Sequence, residues 1–178
     1  MSSGGERPAP VVIVAYDRAW PARFDALRQG LEAALGDLAL AIEHVGSTSV
    51  PGLAAKPIID IDVVVRDAGD LTKAIARLEA AGYRHEGDLG IAGREAFRAP
   101  AGRDEHHLYA LVQGADELRR HLAFRDRLCA SAEDRRAYAR LKRRLARTFR
   151  HDREAYADAK STFVERVLSA GSPSGGDA

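Results

Sequence analysis

The chain predicts an α+β fold: a mixed β-sheet carrying helices, followed by a C-terminal helical group. Three observations lead there. Short β-branched runs bounded by turn residues recur as far as residue 112, apolar residues at helical spacing lie between some of them, and from Asp116 onward the spacing is helical throughout. Val11 to Ala15 predicts a strand or extended segment, and Phe24, Leu27, Leu31 and Leu35 then mark one helix face as far as Gly36. Leu38 to Val45 reads as a strand running into Gly46-Ser47-Thr48-Ser49, after which Val50 to Ala55 has room only for a brief turn or helix before Pro57. Ile58 to Val65 is a second strand. Leu71, Ile75 and Leu78 form a helical stripe that stops at Gly82, and Tyr83 to Asp88, Glu95 to Ala99 and His106 to Val112 follow as strands. Leu118, Leu122 and Cys129, then Tyr138, Leu141, Leu145 and Phe149, then Tyr156, Phe163 and Val167 each line one helix face, with a capping signal at Ser131 to Asp134. Small and turn-forming residues at both ends predict mobile tails at 1–10 and 171–178 around one domain at 11–170.

At 178 residues, with 46% hydrophobic and 30% charged residues, the chain has enough material for a core and is neither collagen-like, coiled-coil nor disordered. Its longest apolar stretch, 57–65, is interrupted by two aspartates and is far shorter than the ~20 residues of a membrane helix, so no membrane partner is expected. The start lacks a basic segment followed by an apolar one, which predicts a cytoplasmic protein. Cys129 is the one cysteine; it rules out an internal disulfide and is expected in the core. The net charge of +1 hides a basic region, because residues 117–150 hold twelve Lys/Arg against four Asp/Glu. These are either solvated helix faces or a field that attracts an anionic partner. With only Phe124, Tyr138 and Phe149 as aromatics there, a base-stacking surface, and with it a nucleic-acid partner, is not expected.

The chemistry concentrates between residues 43 and 62. Asp60 and Asp62 stand two apart in a strand, so both project from one face while Ile61 projects from the other. Among isoleucines and valines, two such carboxylates require a cation, a basic side chain or a water-filled cleft; magnesium is the natural ion. Gly46-Ser47 follows a strand at a tight turn, where glycine lets a phosphate approach the backbone and the following amides and the hydroxyls of Ser47 and Thr48 can bind its oxygens. Each part also has a plain reading: Gly-Ser-Thr-Ser as a helix cap or turn, Asp-Ile-Asp as a solvent-facing strand edge. His44, His106 and His107 sit where neighbouring strands would bring an imidazole near the carboxylates, as acid/base groups, as ligands for zinc, manganese or iron, or as packed and hydrogen-bonded residues. Lys56 can contact a phosphate, and Arg103, Arg119 and Arg120 can clamp a substrate. Tyr16 and Trp20 suit a lid or the core.

The run from His44-Val-Gly-Ser-Thr-Ser-Val-Pro-Gly-Leu-Ala-Ala-Lys-Pro57 through Ile58-Ile-Asp-Ile-Asp62 resembles the GrpB (UPF0157) family of the nucleotidyltransferase superfamily. Val14 to Pro21, His106-His107-Leu108, His121 to Leu128 and Tyr138 to Ala146 extend the resemblance over nearly the whole body. It implies a nucleotidyltransferase-like sheet in which Gly46 and Ser47 match the superfamily's Gly-Ser and Asp60 and Asp62 its first two metal-binding acids. The third acid of active superfamily members comes from a later strand, and His106 to Val112 contains none; Asp104 and Glu105 only precede it. Tyr109 stands where relatives often carry a further histidine, and joins Gly46, Ser47, Thr48, Lys56 and Arg103 as a candidate substrate contact. Three functions follow for a small-molecule substrate, a nucleotide among the candidates. One is nucleotidyl transfer to a small molecule or protein with magnesium on Asp60 and Asp62. Another is cofactor-free acid/base chemistry, such as dehydration, addition or cyclisation of a metabolite, by Asp60, Asp62, His44, His106 and His107. The third is a non-catalytic nucleotide- or anion-binding module.

Overall fold

The computed structural model describes residues 9–171, so the tails expected at 1–10 and 171–178 lie outside it apart from Ala9, Pro10 and Gly171. Its centre is one mixed five-stranded sheet built from β1 (Ala41–Val45), β2 (Ile59–Val65), β3 (Arg84–Gly87), β4 (Arg94–Arg98) and β5 (His106–Val112) in the order β1-β2-β5-β4-β3. β2 and β5 are parallel neighbours; the other three pairings are antiparallel. Helices α1 (Trp20–Leu35) and α2 (Ala68–Ala80) cover one face. On the other lie α3 (Asp116–Ala130), α4 (Ala132–Thr148), α5 (Arg153–Asp158) and α6 (Ser161–Gly171). Among the described residues no helix is long and apolar enough to cross a membrane.

Strand alternation decides what each face carries. Ile59, Ile61, Val63 and Val65 of β2, with Leu108 and Ala110 of β5, pack against Trp20, Leu31 and Leu35 of α1 and Leu78 of α2 in the main core. Asp60, Asp62 and Val64 face the opposite way, where Val64 and Leu111 meet Leu118 of α3. The Asp67 carboxylate caps α2 by accepting from Asp70 N at 2.9 Å, and Ser131 caps α4 in the same way at 3.1 Å, as its position in the sequence predicts.

Four elements differ from expectation. Val11 to Ala15 makes only a two-way bridge, Val14 with Ala55, because the next hydrogen-bonded pair would need an N–H from Pro57. β1 begins at Ala41, since Gly36–Leu38 winds into a 3-10 turn that ends α1. The stripe Tyr156, Phe163, Val167 belongs to two helices: Tyr156 packs with Val11 and Leu145, whereas Phe163 joins Leu53, Leu128 and Tyr138, and the break at 159–160 lets the chain serve both clusters. Cys129 is exposed; the neighbouring Leu128, a hundred degrees round the helix, is the buried residue.

Candidate functional site

The site forms on the Asp60 face, where register brings four elements together. β1 sets Val45 opposite Asp60 and Glu43 opposite Asp62, while β5 sets His107 beside Asp60 and Tyr109 beside Asp62. Gly46 turns the chain out of β1 at φ 68°, and a Cβ there would fall 2.2 Å from Oδ2 of Asp60, so glycine is required both by conformation and by space. His107 Nδ1 lies 2.7 Å from Oδ1 of Asp60, with the imidazole partly exposed. Asp62 is fully buried, and its Oδ2 is held at 2.7 Å by Nδ1 of His121, which α3 brings in from 59 residues away. The other ring nitrogen of His121 is 3.1 Å from Oε1 of Glu117, one helical turn back. Burial works against a charge on His121, yet hydrogen bonds to the two carboxylates outweigh it and hold the imidazole up at about 9. Burial, with smaller contributions from the Asp60 and Glu117 carboxylates, holds the Asp62 carboxyl above its ordinary range, and His121 opposes that shift. The basic side chain that a buried Asp-x-Asp pair requires is therefore His121. Its signals in the sequence are the Glu117/His121 spacing on a helix and its place at the head of the His121 to Leu128 segment that carries the family resemblance.

Lysines form the adjoining wall. Lys142 of α4, 2% exposed, places Nζ 2.8 Å from Oγ of Ser47 and 4.6 Å from the Tyr138 ring centroid. Burial, then the neighbouring Lys160, bring its ammonium down to about 7. Lys160, between α5 and α6, is lowered to about 8 by burial and by Lys56, and Lys56 is itself lowered by burial. Lys160 and Lys56 both lie over the Tyr156 ring, at 4.5 and 5.6 Å. Two clefts meet here. One of about 310 Å³ has Gly46, Arg94, Tyr109, His121 and Tyr138 on its walls; the other, of about 220 Å³, has Lys56, His107, Lys142 and Tyr156. Ser47, Asp60 and Lys160 line both. Three amines with depressed pKa values thus line one hollow. Lys142 and Lys160 were not singled out in the sequence, because nothing local distinguishes them from solvated helix lysines.

Several expected site residues lie elsewhere. His44 pairs with Ile61, so alternation turns it to the α1 face, where it stacks on Phe24 with centroids 4.6 Å apart. Its Nε2 is 3.0 Å from Oγ1 of Thr48, which donates onward to the Ile58 carbonyl and so accepts from the imidazole. Burial lowers His44 to about 4. Thr48 is consequently a buried link rather than a wall of the clefts. His106 stands beside Ile59 and also faces the core: Nδ1 donates to the Asp104 carbonyl at 2.7 Å, leaving Nε2 to accept from the Tyr83 hydroxyl at 3.0 Å. Burial pushes it below its ordinary range, and it is satisfied as a neutral ring. Arg103 lies near Tyr83 and lines a hollow beside α1, and Asp104 pairs with Arg23 at 3.1 Å. Neither reaches Asp60. Trp20 is core, with Tyr16 edge-on against it; Arg119 pairs with Asp116. Arg120 lines the larger cleft while bound to Glu165 of α6, and Arg94 lies 4.5 Å over the Tyr109 ring.

Magnesium, which the Asp-x-Asp pattern implies, does not fit this donor set. One oxygen of each aspartate is engaged by an imidazole, a cationic one on Asp62, and β5 offers Tyr109 rather than a third carboxylate. Glu117, the other acid at the cleft, is bound by His121 and faces Arg94 at 3.9 Å. Oδ1 of Asp62 is left without a partner, but a buried position beside an imidazolium repels a second cation. Among the described residues no group of three or more His, Cys, Asp or Glu side chains could hold a metal ion.

With this geometry in place, the profile of the GrpB protein family matches residues 10–170. The chain belongs to the GrpB family. It is 43% identical over 163 residues to the UPF0157 protein BH1888 of Halalkalibacterium halodurans, covering 90% of this chain and 82% of that protein. The crystal structure of GrpB from Enterococcus faecalis superimposes with a TM-score of 0.80 at 32% identity, over 89% of this GrpB chain and 96% of the other. A more distant match is the structure of Cid1 in complex with its short product ApU, with a TM-score of 0.44 and 17% identity over 75% of this chain and 39% of that one.

Proposed function

We propose that residues 11–170 act as one domain that carries out metal-independent acid/base chemistry on a small anionic substrate, of the kind used in dehydration, addition or cyclisation. One observation carries this reading: the 2.7 Å contact between Asp60 and His107 at the edge of a cleft walled by Lys56, Lys142 and Lys160. The carboxylate fixes the tautomer, so that in the neutral ring Nδ1 carries the proton and Nε2 is the base. Such a pair takes a proton from a substrate carbon or hydroxyl and returns it to a departing oxygen, with Asp60 stabilising the imidazolium formed between the two steps. The lysines hold the anionic group and raise the acidity of neighbouring C–H or O–H bonds. Screening the pure protein against pools of phosphorylated and carboxylated metabolites by mass spectrometry should reveal turnover that persists in EDTA and disappears in His107→Gln. Turnover that needs a divalent ion, or survives in that variant, overturns the reading.

The Gly46-Ser47 turn packed on Asp60, with Lys142 bound to Ser47, favours a second reading in which a nucleotide's phosphates lie at the turn. It serves either nucleotidyl transfer or a non-catalytic binding module. Binding of nucleoside triphosphates that weakens in Ser47→Ala supports it, and transfer of label to an acceptor separates the enzyme from the module.

A further inference from the structure

We propose that Ser47 is a nucleophile, with Lys142 as its general base, and that it acts on carboxylic esters or thioesters that carry an anionic group. This goes beyond the proton-transfer reading and does not depend on His107. Ser47 begins a 3-10 turn immediately after Gly46, is half-buried, and lines both clefts, so an acyl carbon can reach its hydroxyl. Nζ of Lys142 lies 2.8 Å from that hydroxyl, and Tyr138, whose ring Nζ overlies, is on the wall of the same larger cleft as Ser47. Serine is a poor nucleophile until a neighbouring base takes its proton, and a lysine can be that base only when its surroundings favour the neutral amine.

Those surroundings are present. Lys142 is buried, Lys56 and Lys160 share its cleft, and Arg143 follows it in α4; together these outweigh Asp60 and the Tyr138 ring, which favour the ammonium. His107 also lines the cleft. The resulting pKa of about 7 leaves a large neutral fraction at physiological pH.

The Ser47 oxygen bonds to the acyl carbon as the bond from that carbon to the leaving oxygen or sulfur breaks; the Ser47 proton passes to Nζ of Lys142 and from there to the leaving group. Water or an acceptor hydroxyl then gives its proton to Lys142 and bonds to the acyl carbon as the bond from that carbon to the Ser47 oxygen breaks, and Lys142 returns the proton to that oxygen. Lys56 and Lys160 remain charged enough to hold the substrate's anionic end.

The test uses the full chain, a fluorophosphonate and the p-nitrophenyl ester of succinate, read by intact mass and peptide mapping. One adduct per chain is expected on Ser47, absent in Ser47→Ala and formed about 100-fold more slowly in Lys142→Met. Labelling of the unmodified protein should rise with pH through about 7 as the Lys142 ammonium loses its proton. Adducts only on lysines or other serines, or undiminished labelling in a folded Lys142→Met, overturn the proposal. If that variant does not fold, the pH profile decides: a rate flat from about pH 5.5 to 8.5 is equally fatal. Neither result bears on the EDTA and His107→Gln experiment, so the two readings fail separately.

Discussion

On the α1 face of the sheet His44 and His106 meet hydroxyls, a backbone carbonyl and aromatic rings; on the α3 face His107 and His121 meet carboxylates. Burial drives the first two toward the neutral ring, and His44 falls to about 4. On the other face the two carboxylates bound to His121 outweigh its burial, and it stays charged to about 9. A distance of one sheet thickness thus separates histidines that hold the fold as neutral hydrogen-bonding rings from histidines that manage charge. Alternation decides the assignment, because in β1 and β5 adjacent residues enter opposite environments.

The sharpest way to break this comparison is His121→Ala, which strands a fully buried Asp62 carboxylate without its cation. It should cost about 3–5 kcal/mol of stability by denaturant titration, and adding Asp62→Asn should recover part of that. A loss below about 1 kcal/mol would show that Asp62 has other means of support. The pH profile gives the same contrast with opposite signs. His121, raised from 6.5 to about 9 by folding, contributes stability that is complete below 6.5 and lost as pH rises toward 9. His44, lowered from 6.5 to about 4, makes stability fall as pH drops from 6.5 toward 4, because only the unfolded chain takes up the proton there. Chemical denaturation across this range should show the alkaline decline vanish in His121→Ala and the acid decline remain.

Smaller in effect is Tyr83→Phe, which leaves Nε2 of His106 unpaired in the core. A loss of about 1–3 kcal/mol is expected, with calorimetric binding of inorganic phosphate unchanged. Weakened phosphate binding would place His106 within reach of the site after all. The smallest change in stability, within about 0.5 kcal/mol, belongs to His107→Gln, whose wild-type side chain is 42% exposed. A large loss of stability there would recast the Asp60 contact as structural.

Much of the architecture was legible because it is local. The limits of β5 coincide with the run His106 to Val112, and α1, α2, α3 and α4 follow their apolar stripes and caps. The Asp60/Asp62 face was legible from alternation alone. Which of His106 and His107 joins it was not, since that depends on a parallel register with β2, a strand 47 residues earlier. Thr48 illustrates the limit on the Gly-Ser turn: its hydroxyl is one residue from Ser47 and chemically alike, yet the 3-10 turn directs it inward to His44 and the Ile58 carbonyl. Arg103 was misplaced for a similar reason, because the loop before β5 runs on the α1 side.

By itself the sequence determined the order of elements, the shared face of two carboxylates and the tight glycine turn that follows β1. These rest on backbone period and on sterics, which act over a few residues. Tertiary structure decided that His121 would neutralise Asp62 and that Lys142 would meet Ser47, contacts spanning 59 and 95 residues. Charge pairing inside a protein depends on distance and burial, and neither is defined until the helices of the second half have packed onto the sheet.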